Sequence, residues 1–516
     1  MAVSLVLQTQ DDDRIVASLD GQVLAVTPLS LLPALERLQA DPHHTGRALY
    51  AALGGNDLRA RLDTDPERLL LLETDARADV LPWEFAALGD NQFLAAEYGM
   101  LRLVDRTAAA NQAPADAPLQ FVALAADPLV DAQGNARTGY RLDLENEMRA
   151  IRQVLQQSNV ALQARRVPPT KEQLGRALCK GPAILHLTCH GDLMQTPDGP
   201  QALLVLEDQN GKEDQLLGRD LMVMPPAGVL RLVLLSACRS AEGTEAQLAR
   251  ALVQNGVPFA IGMQGLFNDK LSDDIAVALY ESVLAGLTLA ESLRQMRHAL
   301  LANGDMFGLP VGYTAREGWG ALPIAEGRPA VGWLGLPGQV SVNSQVQPPR
   351  PLLGRNGELY ELARLYANGH KVVTVNGTGG MGKTALAATF VERFAWRWAD
   401  GVRVVSYANE TVDARTFRVE LVRLLQGEQA AREIADASAE QQANVILQTL
   451  RDWDGLLVLD NYETILQGTY EHDVEAEKVH WLVGQMANGG DGCCSPAVSN
   501  PRAWQAKCCF PRRMSR

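Results

Sequence analysis

Seven short apolar runs limit what this chain can fold into: QFVALAAD (120–127), AILHLTCH (183–190), LRLVLLSAC (230–238), VPFAIGMQ (257–264), KVVTVNG (371–377), VRVVSYAN (402–409) and GLLVLD (455–460). Each is nearly continuous in apolar residues rather than alternating, which fits strands of a parallel sheet covered on both faces. The covering layers are amphipathic helices: DLENEMRAIRQVLQQ (143–157) and DDIAVALYESVLAGLTLAESLRQMRHALL (273–301) carry apolar residues at three- and four-residue spacing. The expected fold class is therefore α/β.

A length of 516 residues predicts about three domains at ~150 residues each. The prolines and polar residues of QVSVNSQVQPPRPLLGR (339–355) mark the best boundary. We expect one unit over 1–335, made of an N-terminal stretch (1–110) and a following stretch (111–335). A linker (336–350), a second α/β domain (351–490) and an irregular tail (491–516) come after it. With 61 acidic against 47 basic residues the net charge is −14, which argues against a nucleic-acid partner. The start, MAVSLVLQTQDDDR, lacks a basic segment followed by a long apolar one, and no run approaches the ~20 apolar residues of a membrane span. The expectation is a soluble, cytoplasmic protein.

Two of the runs end in chemistry. AILHLTCHG ends in His190 and Gly191, and LRLVLLSAC ends in Cys238. Ligands meet open parallel sheets at the carboxyl ends of strands. A thiol there becomes a nucleophile when an imidazole takes its proton or stabilises its charge. The backbone N–H groups of Gly191 and Cys238 could polarise a scissile carbonyl as an oxyanion hole. The competing reading is a buried apolar cysteine and a satisfied core histidine. Cys189, beside His190, falls on the opposite face by alternation and reads as core.

The order LPWEFAAL (81–88), AILHLTCHG, LLSACRSAEG (234–243), GVPFAIGMQG and the long Ala- and Leu-rich helix resembles the CHAT domain, a bacterial relative of caspases and separase, over about residues 40–325. The resemblance implies a caspase-like sheet with Cys238 as nucleophile and His190 as general acid–base. His186 falls where such domains often carry histidine, and we read it as a structural hydrogen-bonding group. Ser236 stands where relatives that cleave after basic residues often carry an acid. Asp192, Asp269, Asp273 and Asp274 are alternative pocket carboxylates.

The second domain carries GTGGMGKT (377–384), a full phosphate-loop motif between KVVTVN and the helical ALAATFVERFAW. Gly377, Thr378, Gly379, Gly380 and Gly382 would wrap phosphates with backbone N–H groups. Lys383 would reach the β- and γ-phosphates, and Thr384 with Asp460, which ends GLLVLD, would hold Mg²⁺. LLGRNGELYELARL (352–365) resembles the entry box of STAND-type NTPases, the class containing NB-ARC and NACHT proteins, which puts Arg355 near an ATP or ADP. Asn461 replaces the second acid of fast ATPases, so hydrolysis should be slow unless Glu463 substitutes.

Together the resemblances imply a protease acting on a protein substrate, released by a nucleotide switch and homo-oligomerisation in bacterial defence or programmed cell death. The alternatives are a nucleotide-binding scaffold with an inactive caspase-like module, or a metabolic thiol enzyme such as an acyl transferase. The tail CCSPAVSNPRAWQAKCCFPRRMSR has five basic residues and no acids and reads as the product of a frameshift or early stop, or else as a basic partner-binding tail. Its adjacent cysteines, Cys493, Cys494, Cys508 and Cys509, lack zinc-ligand spacing.

Overall fold

The computed structural model describes all residues except 1, 11–12, 91, 108–116, 138–141, 197–198, 222–228, 237–243, 265–271, 303–306, 332–339, 343–353, 379, 407–412 and 488–516. The chain forms two compact units. The first comprises Met1–Pro128, Gly139–Asp208 and Glu213–Gly335; the second comprises Leu129–Thr138, Gln209–Lys212 and Leu336–Arg516.

The first unit is built on one twelve-stranded sheet. Its strands in chain order are β1 (Val3–Gln10), β2 (Arg14–Leu19), β3 (Gln22–Pro28), β4 (Leu69–Thr74), β5 (Gly99–Thr107), β6 (Leu119–Ala125), β7 (Leu162–Val167), β8 (Ile184–Thr188), β9 (Leu232–Ser236), β10 (Phe259–Met263), β11 (Pro310–Arg316) and β12 (Ala330–Val331). Across the sheet they run β12-β7-β6-β8-β9-β10-β11-β5-β4-β1-β2-β3. The β12 to β10 strands are mutually parallel, β11 reverses, and β11, β5, β4 and β1 are again parallel. The five strands β1 to β5, between Val3 and Thr107, thus extend the same sheet.

Every residue of β8, β9 and β10 is buried, as continuous apolar strands covered on both faces must be. The helix Leu144–Gln157 starts where the Asp143 carboxylate accepts from the Asn146 N–H. It buries Met148, Ile151, Val154 and Leu155 at helical spacing, together with one carboxylate, Glu147. Within LPWEFAAL, Trp83–Phe85 form a buried 3-10 turn whose Glu84 meets Arg102 of β5 at 2.7 and 3.0 Å. Burial pulls the Arg102 pKa down, but Glu84, Tyr313 and Asp79 more than offset it and hold the guanidinium charged.

The second unit has a three-stranded parallel sheet, β13 (Val340–Val342), β14 (Val402–Ser406) and β15 (Leu456–Asp460), with β14 in the middle. The helices Lys383–Phe394, Ala414–Gln426 and Ala439–Asp452 belong to this unit, the last opened by a capping box of Ser438 and Gln441. One expectation fails here: KVVTVNG is described but forms no strand. Val373 is buried and Val372 and Val375 partly so, so the run packs through its side chains, but no described strand pairs with its backbone. Among the described residues, no helix is long and apolar enough to cross a membrane.

Candidate active site

Three neighbouring parallel strands end flush. Thr188, the last residue of β8, is in register with Ala125 at the end of β6 and with Ser236 at the end of β9. Two residues beyond that row the sequence places Asp127, His190 and Cys238 respectively. Adjacent strands lie about 4.8 Å apart, so an acid and an imidazole follow the ends of neighbouring strands. Cys238 and its neighbours 237–243 lie outside the described residues.

His190 opens a second, antiparallel sheet of three strands, His190–Thr196, Gly199–Glu207 and Glu213–Leu217, in which His190 pairs with Val205 and Gly191 with Leu204. Its side chain is largely buried and its Nε2 stands 3.7 Å from Asp127 Oδ1, a loose ion-pair distance rather than a hydrogen bond. Asp127 is fixed from two sides. The preceding Ala126 N–H donates to the Thr188 carbonyl at 2.8 Å, and the Asp127 N–H donates to Glu207 Oε1 at 2.9 Å. Glu207 closes the strand that pairs with His190, so the acid and the imidazole are mounted on one frame.

Sequence reasoning missed Asp127, although it ends the run QFVALAAD. The signal that could have found it is the one that marks Asp460: a carboxylate directly after an apolar strand. Cys189 is buried among Leu204, Leu206 and Leu235, as alternation requires, and Cys179 is exposed. His186 is fully buried and bonds Tyr280 and Thr188. Asp273 and Asp274 sit in the first turn of the helix Ser272–Leu284, Asp192 lies in the strand His190–Thr196, and Asp269 is outside the described residues.

The second unit holds the described residues of GTGGMGKT and its sequence partners. Gly380 and Gly382 have φ of +79° and +80°, the left-handed region that a side chain resists. Lys383 begins the helix Lys383–Phe394, and its Nζ donates to the Gly377 carbonyl at 3.0 Å and lies 3.6 Å from Glu463. The Thr384 hydroxyl donates to Asp460 Oδ1 at 2.8 Å. Ser406 and Asn461 bond the other Asp460 oxygen. Arg355 donates to the Met381 carbonyl at 2.9 Å and to Glu358 at 2.8 Å. Gly379 lies outside the described residues, as do the four terminal cysteines.

A mixed α/β domain with a large, mostly parallel sheet and a histidine at a strand's carboxyl end is the class this first unit defines. The chain belongs to the CHAT domain family, which matches residues 43–310. Among solved structures it is similar to the Saccharomyces cerevisiae separase–securin complex, at 13% identity and a TM-score of 0.31 over 52% of this chain and 17% of that one. It is also similar to the Arg-specific cysteine proteinase gingipain R, at 12% identity and a TM-score of 0.35 over 57% of this chain and 70% of that one. The chain thus spans under a fifth of the separase chain. No curated protein matches it.

Proposed function

We propose that the first unit is a cysteine endopeptidase with Cys238 as nucleophile, His190 as general acid–base and Asp127 as the carboxylate that orients the imidazole. The flush row of strand ends, with Asp127, His190 and Cys238 each two residues beyond it, carries this reading. His190 takes the thiol proton, and the thiolate sulfur bonds to the scissile carbonyl carbon while the carbonyl π pair moves onto oxygen. The Gly191 and Cys238 backbone N–H groups then receive the oxyanion. When the tetrahedral intermediate collapses, the C–N bond breaks and His190 returns its proton to the leaving amine. Water, deprotonated by His190, cleaves the thioester, and the proton goes back to the thiolate sulfur. Asp127 stabilises the imidazolium formed in each half.

We further propose that the second unit binds ATP or ADP with Mg²⁺ and governs the protease, a reading favoured by the Thr384–Asp460 hydrogen bond and the left-handed glycines. Mg²⁺ bound with the nucleotide supplies positive charge against the phosphate oxygens. The residues present fit that group: Thr384 and Asp460 offer adjoining oxygens, and Lys383 sits at a helix start, where anions are favoured. Glu463, on Lys383, is the carboxylate available in place of Asn461.

The deciding experiment is digestion of a diverse peptide library by the wild type and by Cys238→Ala, each with and without Mg-ATP. Cleavage lost in the variant establishes the endopeptidase and its specificity, and a change in rate with Mg-ATP establishes the coupling. No cleavage from the wild type under either condition favours the scaffold instead.

A further inference from the structure

One ionisable group below this site has no role in the chemistry above. Glu147 projects from the helix Leu144–Gln157 and is 1% exposed. An isolated carboxylate so placed is costly unless its oxygens are satisfied. Here the Thr188 hydroxyl donates to Glu147 Oε2 at 2.9 Å, and His186 Nε2 lies 3.2 Å from Oε1. His186 Nε2 is also 3.0 Å from the Thr188 oxygen, and its Nδ1 is 2.9 Å from the Tyr280 hydroxyl.

Proton counting gives the direction of this chain. Thr188 spends its one proton on Glu147, so it accepts from Nε2–H; Tyr280, with burial first and Glu147 second raising its pKa well above 10, stays protonated and can donate to Nδ1. The sequence Tyr280 to His186 to Thr188 to Glu147 leaves every member with a partner and ends on the carboxylate. Burial pushes the Glu147 pKa up, but the His186 N–H and the Thr188 hydroxyl facing it hold it lower still, so the group is ionised at neutral pH.

The groups on Glu147 come from the strand that leads to His190. Thr188 ends β8 two residues before His190, and His186 stands two residues before Thr188 on the same strand. We propose that Glu147 is a positioning residue for the peptidase site, a buried carboxylate that clasps the end of β8 and thereby sets where His190 stands relative to the nucleophile. This rests on the peptidase reading above. A ~1 Å error in such spacing is enough to cost about a hundredfold in rate.

The test uses the full chain and three variants. Glu147→Gln keeps the shape and one oxygen, Glu147→Ala removes the clasp, and Tyr280→Phe breaks the far end of the same network. Three quantities are measured: the thermal transition, kcat and KM on a peptide found in the library, and the rate at which iodoacetamide labels Cys238 relative to Cys179. A positioning role gives about a tenfold loss of kcat in Glu147→Gln and about a hundredfold loss in Glu147→Ala, with KM within twofold in both. The labelling preference for Cys238 falls in parallel, and Tyr280→Phe retains kcat within twofold while losing stability. Loss of kcat in step with stability across all three variants, or full kcat and labelling preference in Glu147→Gln, overturns the proposal. If Glu147→Ala fails to fold, Glu147→Gln against Tyr280→Phe decides. Labelling needs no substrate, so the two readings fail separately: a preference insensitive to His190→Ala sinks the dyad, whereas one sensitive to His190→Ala but not to Glu147→Gln sinks only the clasp.

Discussion

Each unit places an aspartate at the carboxyl end of a parallel strand, Asp127 two residues past β6 and Asp460 as the last residue of β15, yet the two are held differently. Asp127 in the first unit belongs to a frame of strand ends locked by buried hydrogen bonds: Glu207 on its N–H, Thr188 on Ala126, and Glu147 beneath Thr188. Asp460 in the second unit is held by Thr384, Ser406 and Asn461, and the loop beside it, with Met381 half exposed, is open to solvent. A site that does covalent chemistry with side chains needs their spacing fixed before substrate arrives. A phosphate cradle uses backbone N–H groups and a flexible lysine, and its ligand completes the geometry. On the proposed reading, hydrogen-bonded strand ends suit the first demand and a solvent-open loop the second.

The largest effects fall on the rigid side. Cys238→Ala and His190→Ala each lower kcat about a thousandfold or more on a cleaved peptide; residual cleavage within tenfold of wild type would remove the dyad. Next comes Arg102, whose buried pairing with Glu84 holds LPWEFAAL against β5. Arg102→Met leaves Glu84 buried with its main charge partner gone, and we expect about 3–5 kcal/mol of destabilisation in urea, reduced when Glu84→Leu is added. A loss below about 1 kcal/mol would show that the pair is not structural. Asp127→Asn comes third, with about a ten- to hundredfold fall in kcat at unchanged KM. The effect is smaller than a tight triad would give because 3.7 Å is longer than a hydrogen bond. Unaltered kcat would leave His190 and Cys238 working as a dyad.

The same contrast governs what is legible in the sequence. GTGGMGKT can be picked out directly because the phosphate cradle we propose would be written as contiguous glycines, lysine and threonine, and Asp460 because it follows an obvious strand. His190 and Cys238 stand 48 residues apart in sequence, and the pairing we propose for them draws on the register that matches Thr188 with Ser236. Asp127 carries the same signal as Asp460, a carboxylate after an apolar run, but no neighbouring motif sets it apart from an ordinary strand-end acid. Glu147 carries none: within DLENEMRAIRQVLQQ it is one of three acids at the helix start, and only the sheet below the helix separates it from Glu145, which pairs with Arg166 instead. KVVTVNG shows the reverse failure. Its composition is that of a strand, but strand formation needs a partner's backbone, and composition says nothing of whether one lies alongside.

The smallest effect probes the open site. If the second unit binds Mg-ATP as proposed, free ligand at about 100 times its Kd should stabilise it by about 2.7 kcal/mol. For a unit of this size that raises its melting transition by roughly 5–10 °C. Lys383→Ala should abolish the shift while leaving the ligand-free transition within about 2 °C, because among the described residues Lys383 holds the Gly377 and Thr378 carbonyls and, loosely, Glu463. Thr384→Ala separates the metal from the phosphates: it removes the bond to Asp460 and should make the shift with ATP alone equal to that with Mg-ATP. If Lys383→Ala retains the full shift, the nucleotide lies elsewhere. If it loses stability without ligand by more than the shift itself, the loop is a buttressed structure after all, and the contrast with the strand-end frame collapses.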